Sequence, residues 1–211
     1  MPPWRWPHDL SPELVTTRLV LEPLAVGHAA GMVEVLSSPA LYTVIGGSPP
    51  SLAELTARYA RQVAGPAQPG ERRHTEQWCN WVLRAGPHLV GYVQATLTFD
   101  PGAVAPRPTA VVAWVVRPPD QGRGLATEAA AAMVQHLWAR GVTAVTAWIS
   151  DTHPASQAVA RRIGLAPTDQ CDESAERLWS ARSGSAEGHP QVCSDAGAVC
   201  QGAAARGPAP G

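Results

Sequence analysis

Lysine is absent from the 211 residues of this chain, and all 16 of its basic residues are arginine. A chain without lysine cannot form a lysine Schiff base with a substrate, and it cannot contain the lysine of a P-loop. Acidic and basic residues nearly cancel, to a formal net charge of −1, and no run of basic residues occurs. A nucleic-acid partner is therefore not expected.

Cysteine, phenylalanine and long apolar runs are also scarce. The four cysteines form no C-x-x-C pair, so neither a zinc ribbon nor a dithiol redox motif is expected, and we predict no metal site. No apolar run reaches membrane-spanning length, and the segment Met1–Asp9 contains no apolar signal region. We therefore expect a cytoplasmic protein without membrane contact.

The remaining composition predicts one globular domain, at residues 16–182. The chain is 45% hydrophobic, which is enough for an ordinary core. We expect residues 1–15 to form an N-terminal extension. Residues 183–211 are rich in glycine, alanine, proline and serine, and we expect this low-complexity tail to be disordered.

Apolar periodicity predicts the element order β-α-α-β-β-β-α-β-α-β-β. The predicted strands are Arg18–Leu24, Trp78–Arg84, Leu89–Phe99, Thr109–Arg117, Val142–Ile149, Leu165–Cys171 and Glu176–Arg182. The predicted helices are His28–Leu36, Leu52–Val63, Gly124–Arg140 and Ala155–Ile163. Thr109–Ile149 should form one parallel βαβ unit with a right-handed crossover. We therefore predict a mixed α/β (α+β) fold, with a mostly antiparallel sheet of about seven strands flanked by helices.

The strand Thr109–Arg117 is nearly all apolar and β-branched, which is typical of a strand buried on both faces. Trp114 on this strand and Trp148 on the next are expected to fill the core. Between the strand and the following helix lies the sequence Gln121-Gly-Arg-Gly-Leu-Ala-Thr-Glu128. Its two glycines allow a sharp turn, and the backbone N–H groups at a helix start favour an anion such as phosphate. Arg123 can add a charge-assisted contact.

Three phosphate-binding motifs compete for this turn. A P-loop is excluded because it requires lysine. A dinucleotide fingerprint would use Gly122 and Gly124, with Asp151 as the ribose-binding acid, but it places Thr127 at the third glycine position, and only one βαβ unit is predicted. The third is the Q/R-x-x-G-x-G/A loop of the GNAT acetyltransferases, which Gln121–Ala126 matches at every specified position.

The chain resembles the GNAT superfamily, and within it the branch that contains the ribosomal-protein N-terminal acetyltransferases. The blocks that carry the resemblance are Thr17–Leu24, Val112–Pro118 with Gln121–Glu128, and His153–Ser156 with Val159–Leu165. The resemblance extends from about Arg18 to Trp179. It implies that the fourth and fifth strands splay apart and hold the pantetheine arm of acetyl-CoA between them.

The resemblance also implies roles for particular residues. Backbone groups of Val115, Val116 and Arg117 would meet the pantetheine amides and the acetyl carbonyl. The pyrophosphate would be enclosed by Gln121, Gly122, Arg123, Gly124, Leu125, Ala126 and Thr127. His153, at a position where the family usually has asparagine, and Ser156 would contact the coenzyme near its thiol.

Amine acetylation requires a neutral amine, stabilisation of an oxyanion and a proton for the departing thiolate. The family often uses a tyrosine as the acid, but no tyrosine follows Tyr92. Ser156 is our candidate acid, although a helix-capping role is equally consistent with its position. Glu173 and Glu176, in an acidic stretch where the family's acceptor site often lies, are candidate bases, although a solvated hairpin turn also explains them.

The sequence therefore predicts an acetyl-CoA-dependent N-acetyltransferase. Its acceptor would be a primary amine of a protein N-terminus or a small molecule, attacking directly in a ternary complex, and the protein would be a monomer or homodimer. Two alternatives remain open. The absent tyrosine is consistent with a non-catalytic acyl-CoA sensor, and the two glycines with Asp151 are consistent with a dinucleotide-binding protein.

Overall fold

A computed structural model describes residues 10–66, 75–99 and 107–184 of the chain. One sheet within these ranges contains β1 (Leu14–Val15), β2 (Val20–Pro23), β3 (Glu76–Ala85), β4 (His88–Thr98), β5 (Thr109–Val116), β6 (Ala144–Ser150), β7 (Ala166–Cys171) and β8 (Glu176–Arg182). The α-helices of these ranges are α1 (Ala29–Val35), α2 (Pro39–Ile45), α3 (Leu52–Ala64), α4 (Leu125–Ala139) and α5 (Pro154–Arg162).

The strand order in the sheet is β1-β2-β3-β4-β5-β6-β8-β7. All neighbouring strands are antiparallel except β5 and β6, which are parallel and are connected through α4. The predicted mixed, mostly antiparallel sheet with one parallel βαβ unit is therefore confirmed. The described sheet has eight strands because the short β1, within the predicted N-terminal extension, pairs with the start of β2.

Helices on the two faces of the sheet divide the hydrophobic core into two parts. On one face α4 and α5 cover a large core that includes Trp81 and Trp179, which are almost fully buried. On the other face α1, α2 and α3 enclose a smaller core around Leu55. Because successive strand residues point to opposite faces, Val115 and Val116 at the end of β5 belong to different cores.

Helix α3 begins at the capping signal in its sequence. The Glu54 N–H donates to the Ser51 hydroxyl at 3.3 Å, and the Ser51 N–H donates to the Glu54 carboxylate at 2.7 Å. This capping box satisfies two backbone N–H groups that the helix itself leaves without partners. The signal is local, so the predicted start of the helix agrees with the structure.

Helix α2 is absent from the sequence prediction. Its last three residues, Thr43 to Ile45, are β-branched and therefore poor helix formers. Tertiary contacts compensate: Leu41 is buried in the smaller core, and the Tyr42 hydroxyl donates to the Leu36 carbonyl at 2.9 Å. Packing thus forms a helix that propensity alone does not indicate.

The expectation that β5 is buried on both faces is wrong. On the α4 face Ala110, Val112 and Val116 are buried and Trp114 is partly buried. On the other face Val111 is 42% exposed, and only Val115 at the strand's end belongs to the smaller core. Trp148 on β6, predicted to fill the core, is 38% exposed. Helices α1 to α3 cover only part of this face, so the strand's uniform apolar composition overstates its burial.

Parts of the sequence prediction fall outside the described residues. Most of the predicted loop at 65–76 and of the turn at 101–108 lies there, as does nearly all of the predicted tail at 183–211. Among the helices described, none combines the length and the hydropathy needed to span a bilayer.

Candidate active site

The candidate site begins where strands β5 and β6 stop pairing. Their parallel register covers only Thr109 with Ala144, Ala110 with Val145, and Val111 with Thr146. Strand β5 then continues to Val116 and β6 to Ser150 without pairing to each other. The sheet therefore opens into a gap toward the carboxyl ends of these two strands, which confirms the expected splay.

Two hydrogen bonds show which backbone groups of β5 face this gap. The Thr143 N–H donates to the Pro108 carbonyl at 2.8 Å, on the β6 side, and the Arg117 N–H donates to the Val90 carbonyl at 2.9 Å, on the β4 side. Because the N–H and C=O of successive strand residues point to opposite sides, the even-numbered residues of β5 face β6. Trp114 and Val116 therefore direct their backbone groups into the gap.

The same alternation applies to β6. Thr143 donates toward β5, so Ala147 and Ile149 direct their backbone groups toward β5 as well, beyond the last paired residue. Both sides of the gap therefore present backbone donors and acceptors that have no partner strand. An extended chain with amide groups can bind there as an additional strand would.

A cavity of about 760 Å³ lies at the open end of the gap. Helix α2, the end of β5, the glycine turn and α5 enclose it. Its lining residues are Arg18, Ala40, Leu41, Val44, Ile45, Trp114, Val115, Val116, Asp120, Gln121, Gly122, Arg123, Gly124, Leu125, Ala126, Thr127, Glu128, His153, Ala155, Ser156, Ala158, Val159 and Arg162. The volume is within the range of natural ligand pockets.

The glycine turn between β5 and α4 has a conformation that requires glycine. Gly122 has a φ of 73° and Gly124 a φ of 79°, both in the left-handed region that other residues rarely adopt. Gly124 is the N-cap of α4, so no side chain caps the first N–H groups of the helix. These donors and the helix dipole form an anion site at the edge of the cavity.

Asp120 is a buried carboxylate beside this turn, and it holds two arginines. Arg117 Nε donates to one carboxylate oxygen at 2.5 Å, and Arg123 Nη1 donates to the other at 2.6 Å. The hydrogen bond from Arg117 lowers the pKa of Asp120, and although burial opposes this, the charge of Arg117 and the contacts of Arg123 lower it further. Asp120 therefore fixes the position of Arg123, a predicted coenzyme residue.

Glu128, in the first turn of α4, joins the N-terminal segment to the same turn. Its carboxylate accepts hydrogen bonds from the Thr16 hydroxyl at 2.6 Å, the Arg18 N–H at 2.8 Å and Arg18 Nε at 2.6 Å. Burial raises the pKa of Glu128, but these hydrogen bonds and the charge of Arg18 outweigh burial, so the pKa is lowered. Glu128 is therefore a carboxylate at neutral pH.

Most of the predicted coenzyme residues line the cavity together: Val115, Val116, Gln121, Gly122, Arg123, Gly124, Leu125, Ala126, Thr127, His153 and Ser156. Arg117 does not line it, because its side chain binds Asp120 and its N–H donates to Val90. Val115 contributes its side chain, whereas its backbone groups point toward β4. Of the three residues predicted to offer backbone groups, only Val116 directs them into the gap, and Trp114, which was not predicted, does so as well.

Helix α5 presents one face to the cavity. Ser156 and Arg162 line it, and His153 at the helix start has no side-chain capping bond. The neighbouring Arg161 turns away, with its guanidinium 5.1 Å from the ring centre of Trp179. The two adjacent arginines of this helix therefore have different environments.

The predicted acidic residues lie on the β7–β8 hairpin, and neither Glu173 nor Glu176 lines the cavity. In this turn Asp172 accepts hydrogen bonds from the Ser174 and Glu176 N–H groups at 2.8 and 2.9 Å. Glu176 is in register with Ser150, the last residue of β6. Glu176 is thus adjacent to the open end of β6, Glu173 lies in the turn that precedes β8, and both are outside the cavity wall.

Asp151 does not have the environment of a ribose-binding acid. Both of its carboxylate oxygens accept hydrogen bonds from Arg177, at 2.9 and 2.8 Å, and it does not line the cavity. The sheet is also not the parallel sheet of a dinucleotide-binding fold. Among residues 10–66, 75–99 and 107–184, no cluster of three or more potential metal ligands occurs.

Several cavity residues have no role in the sequence analysis: Arg18, Ala40, Leu41, Val44, Ile45, Asp120, Glu128, Ala155, Ala158 and Val159. Ala155, Ala158 and Val159 recur at helical spacing after His153, so periodicity can place them on one face with Ser156. Arg18 and the residues of α2 are remote in sequence from the turn, and no local pattern identifies them.

A sheet that opens between its one parallel strand pair, with a glycine turn and a helix start at the opening, defines a GNAT-type acetyltransferase fold. A family model described as the acetyltransferase (GNAT) domain matches residues 18–166, well over half of the chain. The chain therefore belongs to the GNAT acetyltransferase family. This membership overturns the dinucleotide-binding alternative.

Solved structures with the same fold include RimL, a ribosomal L7/L12 alpha-N-protein acetyltransferase in complex with coenzyme A. It is 17% identical, with a TM-score of 0.65 over 80% of this chain and 96% of RimL. The microcin C7 self-immunity acetyltransferase MccE, in complex with acetyl-CoA and AMP, is 13% identical, with a TM-score of 0.65 over 82% of this chain and 98% of that one. An acetyltransferase from Agrobacterium tumefaciens strain C58 is 23% identical, with a TM-score of 0.59 over 81% and 94% of the two chains. No curated protein matched the chain in a sequence search.

Proposed function

We propose that this protein transfers an acetyl group from acetyl-CoA to a primary amine by direct attack in a ternary complex. The observation that carries the proposal is the glycine turn of Gly122 and Gly124, which lies at the start of α4 beside the β5–β6 gap. Backbone N–H groups there suit a diphosphate, and the gap suits an extended chain that contains amides. Coenzyme A combines both features in one molecule.

The residues present fit this coenzyme at both ends of the cavity. The N–H groups from Gly122 to Thr127 would hold the pyrophosphate, with Arg123 kept in place by Asp120. The backbone N–H and carbonyl of Trp114 would bind the pantetheine amides. The Val116 carbonyl accepts a hydrogen bond from Gln121 Nε2 at 2.8 Å, so the Val116 N–H is the group of that residue left to face a ligand. When bound, acetyl-CoA supplies a thioester carbonyl that an amine can attack.

The chain's own residues would then stabilise charge and move protons. A backbone N–H at the end of β5, where Val116 faces the gap, would donate to the developing oxyanion. Ser156, part-buried in the cavity wall, would relay a proton: its hydroxyl would donate to the departing thiolate and take in exchange the extra proton that the attacking nitrogen carries after addition. Glu173 or Glu176 on the β7–β8 hairpin would accept the proton of the amine.

An α-amine is the acceptor that this site supports best. The candidate bases lie outside the cavity wall, so an amine that is already partly neutral has an advantage. An α-amino group is roughly a tenth neutral at pH 7, whereas a lysine amine is under about a thousandth neutral. The α2 wall, with Leu41, Val44 and Ile45, adds an apolar surface but no charge. RimL, which shares the fold, is described as an alpha-N-protein acetyltransferase.

A non-catalytic acyl-CoA-binding protein is the second candidate. It is favoured by one observation: the tyrosines of this chain are Tyr42, Tyr59 and Tyr92, and none is among the residues that line the described cavity. The family's usual proton donor is therefore missing. This candidate requires coenzyme binding without turnover on any amine.

Thiol release from acetyl-CoA over a panel of amines separates the two candidates. The panel should contain peptides with free N-termini, the same peptides with blocked N-termini, an aminoglycoside and a polyamine. We expect release with the free N-termini and none with the blocked ones. A parallel denaturation experiment should show about 2.7 kcal/mol of stabilisation at a hundred times the Kd of acetyl-CoA. Stabilisation without release on any amine supports the binding protein, and absence of both contradicts the proposal.

A further inference from the structure

Two sequence blocks that lie 110 positions apart meet at the glycine turn. Arg18, just before β2, donates through its backbone N–H and its Nε to Glu128 in the first turn of α4. The Thr16 hydroxyl donates to the same carboxylate at 2.6 Å. These contacts hold the N-terminal segment against the start of α4.

The Arg18 guanidinium is oriented by contacts on two sides. Its Nε donates to Glu128 at 2.6 Å, and its Nη1 donates to the Arg123 carbonyl, inside the glycine turn, at 2.7 Å. A planar guanidinium bound at two of its nitrogens has a defined orientation. Arg18 is therefore a rigid part of the site, although its side chain is 47% exposed.

The third nitrogen of this guanidinium lies against the turn. Nη2 is 3.5 Å from the position that a Cβ atom on Gly124 would occupy, and Arg18 lines the cavity. Within the part of the chain that the structure describes, no hydrogen bond from Nη2 is found. The donor is thus placed beside the N–H groups that would meet a diphosphate.

We propose that Arg18 is a coenzyme-binding residue, whose Nη2 donates to the diphosphate of the coenzyme, and that Glu128 is its positioning residue. The inference rests on the proposed function, because it requires coenzyme A as the ligand. Arginine suits this role, since its fork of donors binds a carboxylate on one side and phosphate on the other. Arg18, from the N-terminal part of the sequence, then adds a side-chain positive charge to the glycine turn.

The binding experiment compares Arg18→Gln with Arg84→Gln by calorimetric titration with coenzyme A. Arg84 is a matched control because it forms a similar ion pair with Glu22, is 34% exposed and does not line the cavity. We expect Arg18→Gln to raise the Kd by about tenfold to a hundredfold, the range for a hydrogen bond to a charged group. Its affinity should also depend less steeply on salt, whereas Arg84→Gln should match the native chain.

Turnover with S-acetyl-pantetheine, which lacks the diphosphate, distinguishes phosphate binding from a structural role. We expect Arg18→Gln to lose kcat/KM with acetyl-CoA but to keep that of the native chain with S-acetyl-pantetheine. Arg18→Lys, which retains the charge without the fork, should have an intermediate Kd. Glu128→Gln should also weaken coenzyme binding, and it should add nothing further in the Arg18→Gln background.

The outcomes separate the two levels of the proposal. If the native chain does not bind coenzyme A, the proposed function fails. If the native chain binds it but Arg18→Gln has the same Kd as Arg84→Gln, only the role of Arg18 is rejected. If Arg18→Gln loses kcat/KM equally with acetyl-CoA and with S-acetyl-pantetheine, phosphate binding is likewise rejected. Arg18 then has a structural role only.

Discussion

Asp120 illustrates at the residue scale how one carboxylate holds the side chains beside the glycine turn. It pairs with Arg117 and Arg123, and its side chain is 9% exposed. Removal of the charge leaves two guanidiniums side by side. The sequence places Asp120 next to the glycine turn, but its function follows only from these contacts.

We expect Asp120→Asn to destabilise the protein by roughly 1–3 kcal/mol, because it removes two hydrogen bonds to charged groups. The hydrogen bond from Arg117 holds the pKa of Asp120 in the folded protein below the ordinary aspartate value of about 3.9, so its stabilising effect is present above about pH 4 and is lost as the pH falls through the folded pKa. Urea denaturation of both proteins should give a constant difference near neutral pH and a smaller one in acid. A difference that grows in acid would contradict this assignment.

Ser156 tests the chemistry at the same scale. If its hydroxyl supplies a proton to the thiolate, Ser156→Ala should lower kcat roughly tenfold and leave the KM for acetyl-CoA unchanged. The effect should be modest because a thiol with a pKa of about 8.5 leaves without strong acid assistance. Steady-state kinetics and a thermal melt should be measured together. A lower melting temperature with unchanged kcat would instead assign Ser156 a capping role.

Two tryptophans on adjacent strands differ in how much of each is buried. Trp179 on β8 is 2% exposed and Trp148 on β6 is 38% exposed. The residue type alone does not distinguish the two positions. We expect Trp179→Ala to cost about 3–5 kcal/mol because it empties a core site. Trp148→Ala should cost about 1 kcal/mol, the typical value for a point mutation. Chemical denaturation measures both, and equal losses would mean that Trp148 is covered in solution.

At the element scale, Gly91 on β4 allows the backbones of β4 and β5 to approach each other closely. A Cβ atom on Gly91 would lie 2.1 Å from the Val115 carbonyl oxygen and 3.0 Å from Val116 Cα. Both of these are backbone atoms and cannot rotate away. The close approach fixes the end of β5, where Val116 faces the gap.

Gly91→Ala should therefore displace the end of β5, cost at least about 1–3 kcal/mol and weaken coenzyme binding. Gly27→Ala is the matched control, because nothing lies within 4 Å of its Cβ position. Denaturation and coenzyme titration of both variants measure the effect. Native-like affinity in a well-folded Gly91→Ala protein would show that the position of β5 does not matter for binding.

Helix α2 shows how an element can escape sequence analysis and still form a wall of the site. Its sequence has β-branched residues in its last turn, and its stability comes from Leu41 and Tyr42, which contact neighbouring helices. Those neighbours are defined only after the chain folds. The local sequence pattern therefore does not predict the apolar wall that α2 contributes to the cavity.

At the scale of the whole molecule, one sheet contains all the described strands, and the candidate site lies at a gap between two of them. Antiparallel pairing holds β1 to β5 on one side and β6 to β8 on the other, and only three residue pairs join β5 to β6. The large core under α4 and α5 spans both halves. The gap can thus exist without dividing the domain.

A chain that ends at Gly184 should fold and bind coenzyme A as the full chain does. The sheet is complete at Arg182, and the cavity residues all precede it. Thermal melts and coenzyme titration of the shortened and full chains test this domain boundary. A loss of affinity after truncation would show that residues beyond 184 contribute to the site.

Local patterns were sufficient for seven of the eight described strands, four of the five described α-helices, the single parallel unit and the glycine turn, because periodicity and backbone conformation depend on residues close in sequence. The contact of Arg18 with Glu128, the wall formed by α2 and the exposure of Trp148 depend on residues brought together by folding. The direction of the β5 backbone groups also required the structure, since a shift of one residue in a strand reverses it. The sequence alone therefore predicts the glycine turn of the site, and packing between segments that are distant in sequence supplies the rest.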